Sequence, residues 1–386
     1  MKLFLQFLKR AYKYFRRTKR VWRKPPHAVL LIIDRGTASP LDEMFAHHKP
    51  HVLDIRGESI NMRALLRAVP KIRLGALAYI EAYIDFVKPK LILSRTDNNA
   101  TMWQLKRRKN ATYQVALVQN GWRLDVGFEI PQLLNKSGPA GIWAIDKLFA
   151  FGSAWISQLP SYVKFEGVAA GSVKANEFSD KPQPIQSSHV SWVSTFRSSY
   201  IASQNDIGDS FYEKLAKTLQ IRKIKVQIIG FESGLDHHVQ EVKYFSKYFE
   251  SVSQSLKRRI SSSSSYEFIK SSKVVMTDQS SLGYESLALG CKTGFLAAAP
   301  RFQKTHRFGK PLEFGEKGPF WTNDPTEDEI ARVLEYLLTV SDEQWEHDSG
   351  WIRDQLMVYD YGNTKIRTYV EGVLADSLES KQVTNN

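Results

Sequence analysis

One cysteine, Cys291, stands among 386 residues, so no intrachain disulfide can form and a cysteine-rich metal site cannot be assembled. A fold without disulfides suits a reducing compartment, and a cytoplasmic setting is expected. Long apolar runs are missing as well. No stretch of about 18 residues is free of charge, so no segment is expected to cross a bilayer. Lys9 and Arg10 interrupt the first apolar run too early for a cleavable export signal. Acidic residues are absent from residues 1–26, which hold ten basic ones. The whole chain carries 54 Lys and Arg against 40 Asp and Glu, so the other 360 residues are left with 44 against 40. The excess positive charge therefore belongs mostly to one segment, and nucleic acid is not an expected partner of the body. What is present, 42% hydrophobic and 24% charged residues with 22 Gly and 15 Pro, is the composition of a folded protein. The length suggests two or three domains of about 150 residues.

In the basic segment, a helical step of about 100° puts Phe4, Phe7, Leu8, Ala11, Phe15 and Trp22 on one face. Nine of the ten basic residues lie opposite, Lys19 being the exception. Residues 1–26 are accordingly read as a basic amphipathic helix on an anionic membrane surface, ended by Pro25 and Pro26. Each basic residue near such a surface adds about 1 kcal/mol. A nucleic-acid arm, or a helix whose aromatic face packs on the body, is the bland alternative; several large apolar residues on one stripe favour the membrane.

From Ala28 onward, short apolar runs alternate with helical stretches such as Met62–Phe86, the pattern of a parallel sheet with crossover helices. Candidate strands are Ala28–Asp34, His51–Ile55, Leu91–Ser94, Gln114–Gln119, Lys147–Phe151 and Gly167–Gly171, then Val190–Ser194, Lys225–Gly230, Val274–Asp278 and Thr293–Ala297. Between the two sets lies a polar stretch, Lys174–Ser188, with Pro182 and Pro184, which is taken as the boundary. The expected division is 27–180 for the first Rossmann-like domain, 181–376 for the second, and 377–386 as a disordered tail. A last helix, Asn363–Ser377, is expected to pack back on the first domain. Ser261–Ser265 reads as a loop before a helix at Tyr266–Lys270. Two such domains in tandem would form a cleft between the carboxyl ends of two sheets, where ligands bind in these folds.

The stretch Val274–Glu285 reads as a buried strand, a turn and a helix. Asp278, Ser280, Ser281 and Gly283 sit where a helix N-terminus offers unpaired N–H groups, a setting that favours phosphate, with Gly283 allowing close approach. Glu285, a turn inside, could accept from sugar hydroxyls. The plainer alternative is a Ser N-cap with Glu285 favouring the helix dipole, worth about 0.3–1 kcal/mol. Histidines are a weaker signal. His47, His48 and His51 cluster in a loop and His237 and His238 are adjacent, but neighbours on a helix face different ways and no carboxylate spacing completes a site, so no protein-held metal is expected.

Taken together, Asp278–Glu285, Ser194-Thr-Phe-Arg197, Gly318-Pro-Phe-Trp-Thr-Asn323 and Tyr359-Asp-Tyr-Gly-Asn-Thr364 resemble a family of bacterial surface carbohydrate biosynthesis proteins, which look like GT-B glycosyltransferases. Asp97-Asn-Asn99, Val118-Gln-Asn-Gly-Trp-Arg123 and Gly171–Asn176 agree, and the resemblance spans about residues 28–375. It departs at Tyr361, where proline is expected, and over Ala297–Pro311.

The resemblance implies an α/β fold of two Rossmann-like domains in the GT-B architecture, preceded by the basic helix. It also implies transfer of a sugar from a nucleotide-sugar donor to a growing, lipid-linked surface glycan at the inner face of the cytoplasmic membrane, without a cofactor. A CMP-ulosonic-acid or polyol-phosphate transferase of the same fold, or a noncatalytic nucleotide-sugar-binding scaffold, is the alternative. The donor would lie on Arg197, Asp278, Ser280, Ser281, Gly283 and Glu285, with Arg197 pairing a phosphate. Asn98, Asn99, Gln119, Asn120 and Arg123 would face the acceptor, although Asn120-Gly121 could equally be a turn. Asp97, after a strand at the cleft end, is the first candidate for the base, against an Asx turn or N-cap. Asp236, beside His237, is the competitor and a potential nucleophile in a retaining reaction.

Overall fold

Four consecutive aliphatic residues, Leu30–Ile33, are buried on both faces, which only a strand covered by helices on each side can achieve. The computed structural model describes residues 17–108, 110–122, 143–178, 189–196, 209–231, 234–250, 252–259, 263–278, 280–298 and 307–383. The strands are β1 (Lys19–Val21), β2 (Leu30–Ile33), β3 (His51–Leu53), β4 (Ser59–Asn61), β5 (Leu91–Ser94), β6 (Gln114–Val118), β7 (Ala144–Ala150) and β8 (Lys164–Ala169) in the first half. The second half contributes β9 (His189–Val193), β10 (Lys225–Ile229), β11 (Leu256–Lys257), β12 (Val274–Thr277), β13 (Thr293–Leu296), β14 (Lys317–Gly318) and β15 (Trp321–Thr322). The helices used below are α1 (Met62–Ala68), α2 (Ala76–Val87), α3 (Ser153–Ser157), α4 (Asp209–Ile221), α5 (Leu235–Phe245), α6 (Ser264–Lys270), α7 (Ser281–Ala288), α8 (Glu327–Thr339), α9 (Asp342–Leu356) and α10 (Thr364–Val383).

Two sheets result. The first is six-stranded in the order β3-β2-β5-β6-β7-β8 and parallel throughout. The second runs β11-β10-β9-β12-β13-β15-β14, parallel except for the β14–β15 edge pair. This is an α/β fold of two Rossmann-like domains in the GT-B architecture. The last helix crosses back: Ile366, Val370 and Leu374 of α10 are packed in one cluster with Leu30, Ile32, Leu91, Leu93 and Val118 of the first sheet.

Four local expectations fail. Thr18–Lys24 are not helical, because β1 pairs parallel with β4 and the Arg23 carbonyl accepts from Asn61 Nδ2 at 2.8 Å. Those tertiary hydrogen bonds outweigh the helical period, and Trp22 is left 60% exposed rather than on an apolar helix face. Residues 1–16, the rest of that segment, lie outside the described residues. The stretch Met62–Phe86 is split into α1 and α2 by a 3-10 segment, Val69–Leu74, that carries Pro70, whose missing N–H and fixed φ stop a continuous helix. Ser264 and Ser265 belong to α6 rather than to a loop, and both are buried. The C-terminal helix, expected to give way to a tail at 377, runs on to Val383.

The halves meet through named contacts. Trp122 of the first half stacks on Tyr284 of α7, ring centroids 3.3 Å apart and 6° from parallel, and meets Trp155 of α3 edge-on. Trp155 in turn donates Nε1 to the Leu356 carbonyl at the end of α9. Gly152 is required there: an added Cβ would lie 2.1 Å from the Gln355 carbonyl oxygen.

Candidate functional site

The carboxyl ends of β2, β5, β6 and β8 converge, and the side chains just beyond them build the site. After β2 comes Asp34, held at a φ of 82° and fully buried. Its carboxylate accepts from Arg56 Nε and Nη2 at 2.8 and 2.6 Å, from Thr96 Oγ1 at 2.6 Å and from the Gly36 amide at 3.2 Å. Burial alone would raise its pKa, but the hydrogen bonds from Arg56 and Thr96 and the guanidinium charge hold it below the usual carboxylate value. Asp34 is thus a spent group that fixes the loop Arg35–Pro40.

Beyond β5 stands Arg95, 4% exposed. One guanidinium nitrogen, Nη1, donates to the Ser39 carbonyl, while Nε is buried with no hydrogen-bond partner among the described residues. Burial lowers its pKa, opposed by the charges of Glu285, Tyr266 and Asp97. Beyond β8 stands Lys174, half-buried, whose pKa is lowered by burial and then by Arg95, against Glu285. Both cations line one cavity of about 310 Å³ with Thr37, Ser39, Asn120, Glu177 and, from the second half, Tyr266. Burial raises the Glu177 pKa, with Glu43 adding to it and Arg367 and Arg95 opposing. The cavity thus brings the buried Arg95 and the half-buried Lys174 together at the junction of the two halves, with the Glu177 carboxylate on the same wall, and a buried guanidinium attracts an anion more strongly than an exposed one.

Of the expected base and acceptor residues, Asn120 lines this pocket and Asp97 adjoins it through the Asn120 amide. Asp97 is 4% exposed; its Oδ1 accepts from the Asn120 amide at 3.1 Å and its carbonyl from Trp103 Nε1 at 2.7 Å. Asn120 lines the cavity, Asn98 is exposed, and Asn99 turns its Oδ1 to the Thr101 amide at 2.9 Å, so the Asx turn of this run is made by Asn99. Gln119 is consumed by its own strand ends: Oε1 accepts from the Phe151 amide at 2.8 Å and Nε2 donates to the Gly121 carbonyl at 3.2 Å. Arg123 and Arg197 lie outside the described residues. Asp236 is exposed in the first turn of α5 and does not line the pocket.

The strand, turn and helix at 274–288 form as expected, but their polar groups are occupied. Ser280 caps α7, its Oγ accepting from the Leu282 amide at 3.2 Å. Ser281 Oγ accepts from the Trp122 amide at 2.9 Å, so the first half itself covers the helix start. Asp278 Oδ1 accepts from the Ala298 amide at 3.0 Å. Gly283 is a correction: an added Cβ would lie 2.4 Å from Thr277 Cγ2 and 3.3 Å from Phe295, so this glycine lets α7 lie against its own sheet and does not open the backbone to a ligand. Glu285 accepts from Ser172 Oγ at 2.6 Å and Tyr266 OH at 2.9 Å, bridging the halves; burial raises its pKa despite those two bonds.

The histidine expectation is also corrected. His47 and His48 both aim Nε2 at Glu371 of α10, at 3.0 and 2.9 Å, because the 3-10 turn Ala46–His48 and the returning helix bring together groups 323 residues apart in sequence. Arg95, Lys174, Glu177 and Tyr266 were not singled out from the sequence. Arg95 carried a signal, being the first charged residue after an all-apolar strand; Tyr266 carried none, since a helix in the other half delivers it.

The class defined by this fold and cleft is that of the GT-B proteins. A family model described as "putative O-antigen biosynthesis protein" matches residues 116–373, about two thirds of the sequence, and the chain belongs to that family. Comparison with curated proteins finds no match. Among solved structures, a variant of the wall teichoic acid polymerase TagF is similar with a TM-score of 0.52 at 10% identity, covering 94% of this chain and 91% of that one. The spinosyn rhamnosyltransferase SpnG, complexed with thymidine diphosphate, gives 0.52 at 12% identity, covering 88% and 99%. At these identities the likeness is one of fold.

Proposed function

We propose that the chain is a glycosyltransferase that moves a sugar from a nucleotide-sugar donor to a growing, lipid-linked surface glycan. The observation that carries this reading is the pocket of Arg95 and Lys174 at the carboxyl ends of β5 and β8, faced by Tyr266. One buried and one half-buried cation, the guanidinium with an N–H unspent among the described residues, suit a phosphate-bearing substrate whose leaving group gains negative charge in the transition state. SpnG, of the same fold, is a rhamnosyltransferase that binds thymidine diphosphate, which supports a nucleotide donor. The donor contacts expected at α7 give way in this reading to Arg95 and Lys174, since Ser281 and Glu285 are engaged across the halves. Asp97, beside Asn120 at the pocket, is the base in this reading, taking the proton of the acceptor hydroxyl.

Thermal shift and nucleotide release with UDP-, GDP-, dTDP- and CMP-sugars test it. One donor should raise Tm and release nucleotide slowly by hydrolysis, and Arg95→Met should weaken both responses at the same donor concentration; no response to any donor refutes the reading. Binding without turnover, with or without acceptor, would favour the scaffold, and a CDP-polyol acting where sugars do not would favour polyol-phosphate transfer.

The proposal extends to the membrane. Lys2, Lys9, Arg10, Lys13, Arg16 and Arg17 precede β1 and can still oppose Phe4, Phe7, Leu8, Ala11 and Phe15 on a surface helix. No described helix is long and apolar enough to cross a membrane. Removing residues 1–17 should abolish sedimentation with anionic vesicles and leave donor binding intact; equal sedimentation with and without the segment would remove the membrane from the proposal.

A further inference from the structure

His47, His48 and Glu371 lie away from the pocket, and nothing in the proposed reaction uses them. The two imidazoles sit on one 3-10 turn with ring centroids 4.1 Å apart and 42° between planes. Each Nε2 addresses a different oxygen of the same carboxylate, at 3.0 and 2.9 Å. The ligand atoms lie within 4.8 Å of one another. A zinc ion takes nitrogen at about 2.0–2.1 Å and carboxylate oxygen at about 2.0–2.2 Å, so tetrahedral ligand atoms stand about 3.3–3.5 Å apart. The observed N–O separations of 3.0 and 2.9 Å are thus within about half an ångström of that spacing. The turn itself is anchored: Lys49 ends it in the left-handed conformation with φ 50°, and one turn earlier on α10 the Arg367 guanidinium donates to the Met44 carbonyl. His51, the third histidine of the loop, is turned away to the Tyr83 hydroxyl at 2.7 Å.

We propose that His47, His48 and Glu371 bind one divalent transition-metal ion, zinc fitting the ligand set best, and that the ion clips α10 to the loop Ala46–His48 of the first domain. Two imidazoles and one carboxylate are borderline ligands that favour zinc, copper or nickel over magnesium or calcium. The ion takes the Nε2 lone pairs, the ring protons now donated to Glu371 moving to Nδ1 through water, and replaces two exposed hydrogen bonds by three coordinate bonds, leaving water to fill the remaining position. What it holds is α10, the helix that returns from the second half to cover the first sheet, so occupancy bears on the attachment of α10 and not on the transfer chemistry.

The test uses the full, untagged chain stripped with a chelator. Isothermal titration with zinc chloride should show one saturable equivalent, with magnesium showing none, and zinc should raise Tm in a chelator-reversible way. His48→Ala and Glu371→Gln, both at the surface and expected to fold, should each weaken zinc by at least about tenfold. Hydrogen exchange should slow in α10 when zinc is added. No saturable equivalent in the wild type, unchanged zinc affinity in both variants, or unchanged exchange in α10 would each overturn the proposal.

Discussion

The ends of β5 and β12 look alike in sequence: a buried strand, then a run of polar residues. They do opposite things. After β12, Asp278, Ser280, Ser281 and Glu285 each hold a neighbour, and the polar groups are used up in joining helix to sheet and one half to the other. After β5, Arg95 retains a buried N–H without a partner among the described residues and faces a cavity. A buried cation with an N–H left over costs stability, and such a group at a cleft is a candidate for ligand binding. The more motif-like stretch is the structural one, and the plainer one holds the pocket.

That contrast can be broken in four ways. The largest effect is expected at Asp97: Asp97→Asn preserves an acceptor for the Asn120 amide but cannot take a proton, so transfer should fall by about 10²–10⁴ with donor affinity kept. The exposed Asp236→Asn should leave transfer near wild type; the reverse pattern in a transfer assay would move the chemistry to the second half. Next, Arg95→Met should weaken nucleotide binding by about 1.5–3 kcal/mol, the worth of a hydrogen bond to a charged group, while Tm holds or rises because a buried charge has gone. A large loss of Tm would make Arg95 a structural residue like those after β12.

Gly283→Val should lower stability by about 1–3 kcal/mol through overpacking against Thr277 and Phe295, read by denaturant unfolding. A variant of full stability that had lost only nucleotide binding would restore this glycine to a ligand site. The smallest effect concerns pH. Glu285 has a folded pKa above 4.5, raised first by burial, so the folded state binds more protons than the unfolded one. Its contribution to stability is therefore full below pH 4.5 and is lost as pH rises through the raised value. Glu285→Gln should remove that decline, seen as a flatter stability curve than wild type above pH 4.5; parallel curves would show that Ser172 and Tyr266 do not hold the carboxyl in this way.

Much of the fold was legible because parallel strands buried on both faces are apolar runs that need no context. Leu30–Ile33, Leu91–Ser94, Val274–Thr277 and Thr293–Leu296 could be read directly, as could a C-terminal helix with its apolar stripe of Ile366, Val370 and Leu374. Single charges and glycines were not legible in role. The period of residues 17–24 spoke for a helix until β4 offered a hydrogen-bonding edge, and the glycine of Ser280–Glu285 spoke for a phosphate until Thr277 and Phe295 filled the space. Periodicity is a property of neighbours along the chain, whereas whether a carboxylate, a guanidinium or an imidazole is spent depends on groups that can be hundreds of residues away. Glu285 with Ser172, Glu371 with His47 and His48, and Arg95 with Ser39 and the Tyr266 pocket are pairings that only the packing of two sheets and a returning helix could decide.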